Sequence, residues 1–337
     1  MNHTILAIES SCDDTSASVI RNGTILSNII ETQEVHREWG GIVPELASRT
    51  HQQKIVPVID LALKKAGIKK SELDAIAFTR GPGLIGSLMV GASFAKGMAL
   101  ALNIPLIAVH HMQAHILAHF IDDPQPEFPF LCLTVSGGHT QIVRVKAYNK
   151  FKIVGTTLDD AAGEAFDKTG KLLGLPYPAG PEMDKLAKFG DKNKFKFTEP
   201  RVGDLDFSFS GVKSSVLYFI QKQTKENPNF IEENLNDLCA SIQERIVSIL
   251  IKKLKKASVK YQITQLAIAG GVSANSSLRS QLKNLENHGF TTFIPDFQYC
   301  VDNAGMIART AAFLYENKIF SEHSVEPLAR WSLDGGR

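Results

Sequence analysis

Cysteine is scarce in this chain of 337 residues: there are four, and no two of them form a Cys-x-x-Cys pair. This pattern argues against a disulfide-stabilised scaffold and a cysteine-rich zinc site, and it favours a reducing compartment. The N-terminus also lacks the cationic and apolar regions of a signal peptide. A cytoplasmic location is therefore expected.

Long apolar runs free of charge are absent as well. The longest, from Leu84 to Leu102, contains Lys96 and several glycines, so it predicts a packed helix rather than a membrane span. No membrane partner is expected. The net charge of +2 permits contact with nucleic acid without arguing for it, and 44% hydrophobic residues are enough for two lobes with their own cores.

The first thirty residues predict three successive strands. An apolar run, Thr4 to Glu9, is followed by the polar stretch Ser10 to Thr15 and by the alternating segment Ser16 to Arg21. Asn22-Gly23 then predicts a type I′ hairpin into a third strand, Thr24 to Ile30. This opening places an acidic, hydroxyl-rich turn between the first two strands.

A second copy of this plan begins at Phe130. A strand leads to the loop Ser136 to Thr140, an alternating strand follows to Val145, and Lys152 to Gly155 forms a third strand. The proline-rich stretch 124–129 before it predicts a boundary between lobes. Two copies of a three-strand opening, each followed by helices, indicate an internal duplication within an α/β protein.

Four of the ten histidines lie between His110 and His119, directly after a predicted strand. A helix starting near His110 would place His111 and His115 one turn apart, where both imidazoles can bind one metal ion. A zinc protease would need a glutamate at position 112, and Met112 removes that general base. His110 and His119 are not counted as ligands.

Asp302 is the candidate third ligand of the metal. It precedes a helical run, so its default role is to cap that helix, but a capping aspartate can present its second oxygen to an ion. Asp13 and Asp14, in the first polar turn, are candidates for positioning or general-base work.

The loop Ser136-Gly137-Gly138 predicts either a simple hairpin turn or a backbone nest for a phosphate. Its counterpart in the duplicated unit favours the phosphate site. Asp167 lies deeper in its helix than the acidic residues at the helix start, where a dipole argument weakens, so Asp167 is expected to be functional. The segment Gly270 to Asn275 follows a buried strand, where a nucleotide could meet the backbone.

The helix after Arg80 contains small residues that would allow another helix to approach closely. Two explanations remain open: tight packing inside this chain, or an interface with a partner subunit. The residues concerned are Gly86, Ser87, Gly91, Ala95 and Gly97.

Taken together, the motifs resemble the bacterial TsaD family, the tRNA N6-adenosine threonylcarbamoyltransferases that were once described as O-sialoglycoprotein endopeptidases. The resemblance covers nearly the whole chain in order. It is carried by the segments 9–13, 40–49, 80–84, 110–115, 135–140, 162–168, 206–211, 270–275 and 302–308.

The resemblance implies an actin-like ATPase (ASKHA) fold of two duplicated RNase H-like lobes with a central cleft. The N-terminal lobe would comprise residues 1–125 and 300–337, and the C-terminal lobe residues 126–299. It implies transfer of a threonylcarbamoyl group from threonylcarbamoyl-AMP to N6 of adenosine 37, 3′ of the anticodon, in tRNAs that read codons beginning with A.

Cofactor, partners and site residues are implied in the same way. One divalent metal ion, iron in preference to zinc, would be bound by His111, His115 and Asp302. A catalytically inactive paralogue (TsaB-like), which would dock on helices of the N-terminal lobe, and a small ATPase (TsaE-like) would be partners. The implied substrate-binding residues are Thr134, Val135, Ser136, Gly137, Gly138, Asp167, Gly180, Asp184 and Asn275.

Three alternative functions belong to other classes of protein. A metalloprotease is disfavoured by Met112, and an actin-like ATPase or sugar kinase acting as a nucleotide switch would not need the paired histidines. A non-catalytic binding subunit is disfavoured because His111, His115 and Asp302 are all present.

Overall fold

The computed structural model describes residues 3–33 and 35–334, and the chain divides into two compact units. Unit 1 comprises residues 1–125, 148–151 and 295–337. Unit 2 comprises residues 126–147 and 152–294. Each unit contains one five-stranded sheet.

The described residues form ten strands and eleven α-helices. The strands are β1 Thr4–Glu9, β2 Asp14–Arg21, β3 Thr24–Thr32, β4 Ala75–Gly81, β5 Leu106–His110, β6 Phe130–Val135, β7 Thr140–Ala147, β8 Lys150–Thr156, β9 Gln265–Ala269 and β10 Thr291–Phe293. The helices are α1 Val35–Glu38, α2 Pro44–Ala66, α3 Ile85–Leu102, α4 His111–Leu117, α5 Ala162–Leu172, α6 Ala179–Ala187, α7 Ser210–Glu226, α8 Phe230–Glu233, α9 Leu235–Tyr261, α10 Ser276–Lys283 and α11 Ala304–Glu316.

The two sheets have the same strand order. Unit 1 runs β3-β2-β1-β4-β5 and unit 2 runs β8-β7-β6-β9-β10. Strands β1 and β2 are antiparallel, and so are β6 and β7. Strand β4 pairs in parallel with β1, and β9 pairs in parallel with β6. The internal duplication predicted from the sequence is thereby confirmed.

The hairpin between β2 and β3 shows how the sequence determines this meander. Asn22 and Gly23 have φ angles of 54° and 83°. A type I′ turn needs positive φ at both central residues, and asparagine and glycine are the residues that tolerate it best. The turn predicted at Asn22-Gly23 is therefore present.

Strand β1 lies at the centre of its sheet and is buried on both faces. Leu6 and Ile8 pack into a core shared with α2 and α3, whereas Ile5 and Ala7 pack into a second core shared with α11. Alternate side chains of a strand point to opposite faces, so a strand covered on both faces reads as an uninterrupted apolar run. This burial fixes the position of Glu9, the last residue of β1.

Two helix boundaries differ from what the sequence pattern predicts. The amphipathic pattern predicts one long helix from about Ile231 to Ala257, but α8 ends at Glu233 and α9 begins at Leu235. Asn234 separates them with a non-helical backbone, and its side-chain amide donates to the carbonyl of Phe230. The run from Val301 to Ala308 predicts the start of a last helix, and that helix begins at Ala304.

Candidate metal centre

Helix α4 follows strand β5 without an intervening loop, because the last strand residue also caps the helix. The Nδ1 atom of His110 accepts hydrogen bonds from the backbone N–H groups of Met112 (3.1 Å) and Gln113 (3.4 Å). An acceptor at this position satisfies donors that have no partner within the helix. His110 therefore has a structural role, and it starts the helix where the sequence predicted it.

The two following histidines lie one turn apart, and both are buried. Their rings are nearly perpendicular, with centroids 4.7 Å apart. The Nε2 atom of His115 lies 3.1 Å, and that of His111 3.4 Å, from the same carboxylate oxygen, Oδ1 of Asp302. The ligand atoms of the three residues all lie within 4.8 Å of one another. The structure thus brings the three predicted ligands together.

Asp302 does not cap α11, and the default role expected for it was wrong. The cap is Asn303, whose Oδ1 accepts from the N–H of Met306 at 3.0 Å. The two other free donors of this turn are the N–H groups of Ala304 and Gly305. They donate to the hydroxyl oxygen of Ser16 and to the side-chain oxygen of Asn28. The first turn of α11 is therefore satisfied without Asp302, whose carboxylate faces the histidines.

Charge complementarity dominates this cluster. Burial alone would raise the pKa of Asp302, but the neighbouring His111 and His115 hold that pKa far below its ordinary value. Burial alone would lower the pKa of His111, but the carboxylates of Asp302 and Glu9 raise it to about 10. An ion that binds here must displace the proton of His111, as is usual for histidine ligands.

Glu9 is a member of this cluster that the sequence patterns did not single out. Its carboxylate is fully buried, and Oε2 lies 3.1 Å from Nδ1 of His111. Burial would raise the pKa of Glu9, but the charge of His111 holds it below its ordinary value. A charged residue at the end of a strand buried on both faces is the signal that could have identified it.

The acidic turn lies in the same unit. Asp14 begins β2, and its pKa is raised to about 7, first by burial and then by the charges of Asp302 and Asp13. Its Oδ1 atom is buried and has no hydrogen-bond partner among the described residues. Asp13 lies in the bend between β1 and β2.

The predicted phosphate loop lies in unit 2 and is a closed turn. The N–H of Ser136 donates to the carbonyl of His139 at 2.8 Å, and the N–H of His139 donates to the Ser136 hydroxyl at 3.1 Å. Neither Gly137 nor Gly138 has a positive φ, so the alternating handedness of a nest is absent. An added Cβ at either glycine would meet nothing within 4 Å, so the space beside the backbone of these two glycines is unoccupied.

Residues on either side of that turn hold it in place. Thr134 and Val135 are fully buried in β6. A Cβ added to Gly163, in the first turn of α5, would lie 2.6 Å from the carbonyl oxygen of Ser136. A Cβ added to Gly270, whose φ is +87°, would lie 2.5 Å from the carbonyl oxygen of Val135. Both glycines are required for close approach to the turn.

The side chains of Asp167 and Asp184, two further predicted substrate residues of unit 2, reach the N-termini of neighbouring helices. Asp167 accepts from the N–H of Ala179 in the first turn of α6 at 2.8 Å, and burial raises the pKa of its carboxyl despite that bond. Asp184 accepts from the N–H and the hydroxyl of Ser276, the first residue of α10. Each carboxylate therefore meets the positive end of a helix.

Gly180 and Asn275 occupy the same two helix starts. Gly180 lies in the first turn of α6, where an added Cβ would meet only Phe166, at 3.8 Å. Asn275 caps α10, because its Oδ1 accepts from the N–H of Leu278 at 3.0 Å. Its Nδ2 donates to Oε1 of Gln243 at 2.7 Å, so both ends of this amide are engaged within the protein.

Helix α3 uses most of its small residues inside the chain. Ser87, Gly91 and Ala95 are buried, and a Cβ added to Gly91 would lie 2.2 Å from the hydroxyl oxygen of Ser10. The helix packs against α2 and β4. By length and composition alone α3 could cross a membrane, a test that core helices also pass. Its outer face exposes three large apolar side chains, those of Ile85, Met89 and Leu100.

The comparisons with known proteins agree on one family and one fold. The family described as TsaD, tRNA N6-adenosine threonylcarbamoyltransferase, matches residues 24–309. A curated tRNA N6-adenosine threonylcarbamoyltransferase of Christiangramia forsetii is 60% identical over 331 residues, which cover 97% of each chain. That of Riemerella anatipestifer is 57% identical over 98% of each chain.

Among solved structures, full-length HypF in its phosphate- and nucleotide-bound form matches with a TM-score of 0.65. The match covers 95% of this chain and 47% of HypF at 14% identity, so it informs on the fold alone. The predicted actin-like α/β fold with two duplicated sheets is confirmed by this match and by the strand order of the two units.

Proposed function

The chain belongs to the TsaD family of tRNA N6-adenosine threonylcarbamoyltransferases, and on that premise we propose which of its residues carry the transfer. Family membership supports the activity and the tRNA substrate.

We propose that His111, His115 and Asp302 bind one divalent ion, iron in preference to zinc. The observation that carries this proposal is the convergence of two Nε2 atoms on one carboxylate oxygen. Two imidazoles and one carboxylate form the donor set that suits Fe²⁺ and also accommodates Zn²⁺. When bound, the ion would supply a positive charge that can hold and polarise a phosphate oxygen.

The donor is proposed to be threonylcarbamoyl-AMP. The open backbone of Gly137 and Gly138 supports contact with its phosphate, because an anion can approach there without meeting a Cβ. The residues proposed to contact this substrate are Thr134, Val135, Ser136, Gly137, Gly138, Asp167, Gly180, Asp184 and Asn275. Thr134 and Val135 are buried and would contribute backbone atoms or packing only.

In the proposed reaction, the N6 amine of adenosine 37 attacks the carbamoyl carbon of the donor. The new C–N bond forms as the bond from that carbon to the AMP phosphate oxygen breaks, and AMP leaves with the electron pair. The amine loses one proton, for which Asp13 and Asp14 are the proposed acceptors. An exocyclic adenine amine is a weak nucleophile, so positioning and stabilisation of the leaving phosphate must supply most of the rate enhancement.

Partner proteins are proposed on the basis of the exposed face of α3. Ile85, Met89 and Leu100 are each at least half exposed. Ile85 and Met89 lie one turn apart on this helix, and exposed apolar side chains at this spacing suit a protein interface. We propose that a TsaB-like paralogue docks there, that a TsaE-like ATPase joins the assembly, and that the protein works in the cytoplasm. Met89→Lys should weaken binding of the paralogue in a pull-down without changing the fold.

The decisive experiment is to deplete this protein in its host and to analyse the nucleosides of total tRNA by mass spectrometry. Loss of threonylcarbamoyladenosine is expected, with restoration by the wild-type gene and not by a His111→Ala, His115→Ala variant. An unchanged level, in a host that has no second enzyme of this kind, would overturn the assignment. A nucleotide switch of the same fold would predict no such loss.

A further inference from the structure

We propose that Glu9 is a positioning residue whose buried carboxylate fixes the orientation and tautomer of His111. In this arrangement Nδ1 of His111 carries a hydrogen and donates it to Glu9, which leaves the Nε2 lone pair for a metal ion once the proton on Nε2 has been displaced. The inference rests on the metal site proposed above and extends it from the ligands to the residue behind one of them.

Three elements of unit 1 meet at the Glu9 carboxylate. The hydroxyl of Thr79 in β4 donates to Oε2 at 2.6 Å, and the backbone N–H of Ser11 donates to Oε1 at 2.5 Å. Nδ1 of His111 lies 3.1 Å from Oε2. Both carboxylate oxygens therefore serve as acceptors at the same time.

This arrangement requires a carboxylate rather than an amide. A glutamine offers one acceptor oxygen and one donor nitrogen. If its nitrogen took the Oε1 position, it would face the N–H of Ser11, donor against donor. If its nitrogen took the Oε2 position, it would favour an unprotonated Nδ1 on His111. The hydrogen of that ring would then move to Nε2, the atom that faces Asp302.

The second histidine has no comparable support. Nδ1 of His115 is buried and has no hydrogen-bond partner among the described residues. The hydroxyl of Ser11 is a further neighbour of His111, 3.2 Å from Nδ1, and its oxygen can share the same N–H. The ring of His111 is thus specified from behind, whereas that of His115 is held by packing and by Asp302.

A buried carboxylate is costly unless its partners compensate for the lost hydration. Thr79, Ser11 and His111 bring three donors to the two oxygens of Glu9, and together these donors compensate for the lost hydration. A carboxylate behind a metal-binding imidazole orients the ring and increases its basicity, and its loss lowers metal affinity about 10–100-fold.

The test uses the full-length protein, stripped of metal and titrated with Zn²⁺ in competition with a chelator. Glu9→Gln is expected to weaken Zn²⁺ binding about 10–100-fold. Glu72→Gln is the matched control, because Glu72 is an exposed residue that pairs with Arg21, and its affinity should equal that of the wild type. Equal affinity of Glu9→Gln and wild type would overturn the inference.

Nitrogen-15 NMR of the histidine rings gives a second readout that does not depend on activity. In the Zn²⁺-loaded wild type, His111 is expected to carry hydrogen on Nδ1, and hydrogen on Nε2 would overturn the inference even if Glu9→Gln fails to fold. A wild type that binds no Zn²⁺ would refute the metal site itself. That result is distinct from a wild type that binds and a Glu9→Gln variant that binds equally well.

Discussion

The indole ring of Trp331 lies against the imidazole of His110, with the ring centroids 4.5 Å apart. The guanidinium of Arg80 lies 5.0 Å from the centroid of the same indole. The C-terminal segment also forms backbone hydrogen bonds with the end of β4 and with the loop after it: the N–H of Leu328 donates to the carbonyl of Arg80, and the N–H of Gly83 donates to the carbonyl of Ala329. His110, which caps α4, is therefore held in place by the segment 328–331.

Trp331→Ala should lower stability and weaken metal binding together. The lost ring contact and cation–π contact are each worth about 0.5–1.5 kcal/mol, and α4 would lose the packing that holds its cap. Thermal unfolding and Zn²⁺ titration would measure both effects. Trp39→Ala is the matched control, because Trp39 is 66% exposed and should change neither quantity. Unchanged metal affinity in Trp331→Ala would show that the C-terminal segment does not support metal binding.

Asp302→Asn and Asn303→Ala should differ in their effect on metal binding, although the two residues are neighbours in the chain. Loss of the cap at Asn303 should cost about 1 kcal/mol of stability and leave metal binding intact. Loss of the Asp302 charge should abolish tight metal binding and should also destabilise the metal-free protein, because the buried His111 and His115 lose the carboxylate that they share. Unfolding of the metal-free variants and metal analysis of the purified proteins test this pair. The reverse assignment would follow if Asn303→Ala lost the metal.

Removal of the metal should lower the melting temperature of the wild type. An ion that binds only the folded state contributes RT ln(1 + [L]/Kd), or about 2.7 kcal/mol at a hundredfold excess over Kd. Scanning calorimetry with and without a chelator would reveal the shift. The His111→Ala, His115→Ala variant should show none, and an equal shift in that variant would place the ion elsewhere.

Asp167→Asn should gain stability relative to the wild type as the pH rises. The folded pKa of Asp167 is raised by burial, so its charged form costs stability above that pKa. The cost is absent at a pH below the ordinary pKa of an aspartate and complete above the raised pKa. Urea unfolding between pH 4 and about pH 7 should show a growing advantage for the variant. A falling advantage would contradict this sign.

Loss of activity in Asp167→Asn, with stability kept, would identify Asp167 as a functional residue. A substitution that removes activity only by unfolding the protein would instead lower stability at every pH. Measuring transfer activity and unfolding on the same preparation separates the two explanations.

Gly163→Ala should disturb the turn at Ser136 and reduce activity. An added Cβ would lie 2.6 Å from the Ser136 carbonyl, which is too close for any real Cβ, so the turn or α5 must shift. Gly203→Ala is the matched control, since its added Cβ would meet only Oδ2 of Asp206, at 3.8 Å. Transfer assays on both variants test the role of the turn, and equal activities would argue against it.

The sequence was most informative where local pattern and local chemistry coincide. Asn22-Gly23 determines a hairpin, and the run from Thr4 to Glu9 determines a buried strand. The spacing of His111 and His115 places their two imidazoles on one helix face. The duplication was visible because each copy repeats the same order of strands and polar loops.

The roles of individual polar residues were less predictable, because a capping residue and a ligand can be adjacent in the chain. Whether Asp302 or Asn303 caps α11 depends on Ser16 and Asn28, which supply acceptors from a distant part of the sequence. Likewise, the small residues of α3 could not indicate from the sequence alone that Gly91 faces Ser10.

By itself, then, the sequence determined the family, the duplicated α/β plan and three of the residues that cluster around the metal position. The tertiary structure alone decided that Glu9 belongs with them, that His110 and Asn303 are caps, and that the turn at Ser136 is held by Gly163 and Gly270. The physical reason is that periodicity and motif spacing act over a few residues. Hydrogen-bond acceptors and buried charges are assigned by whichever side chains the packed strands and helices bring within about 3 Å.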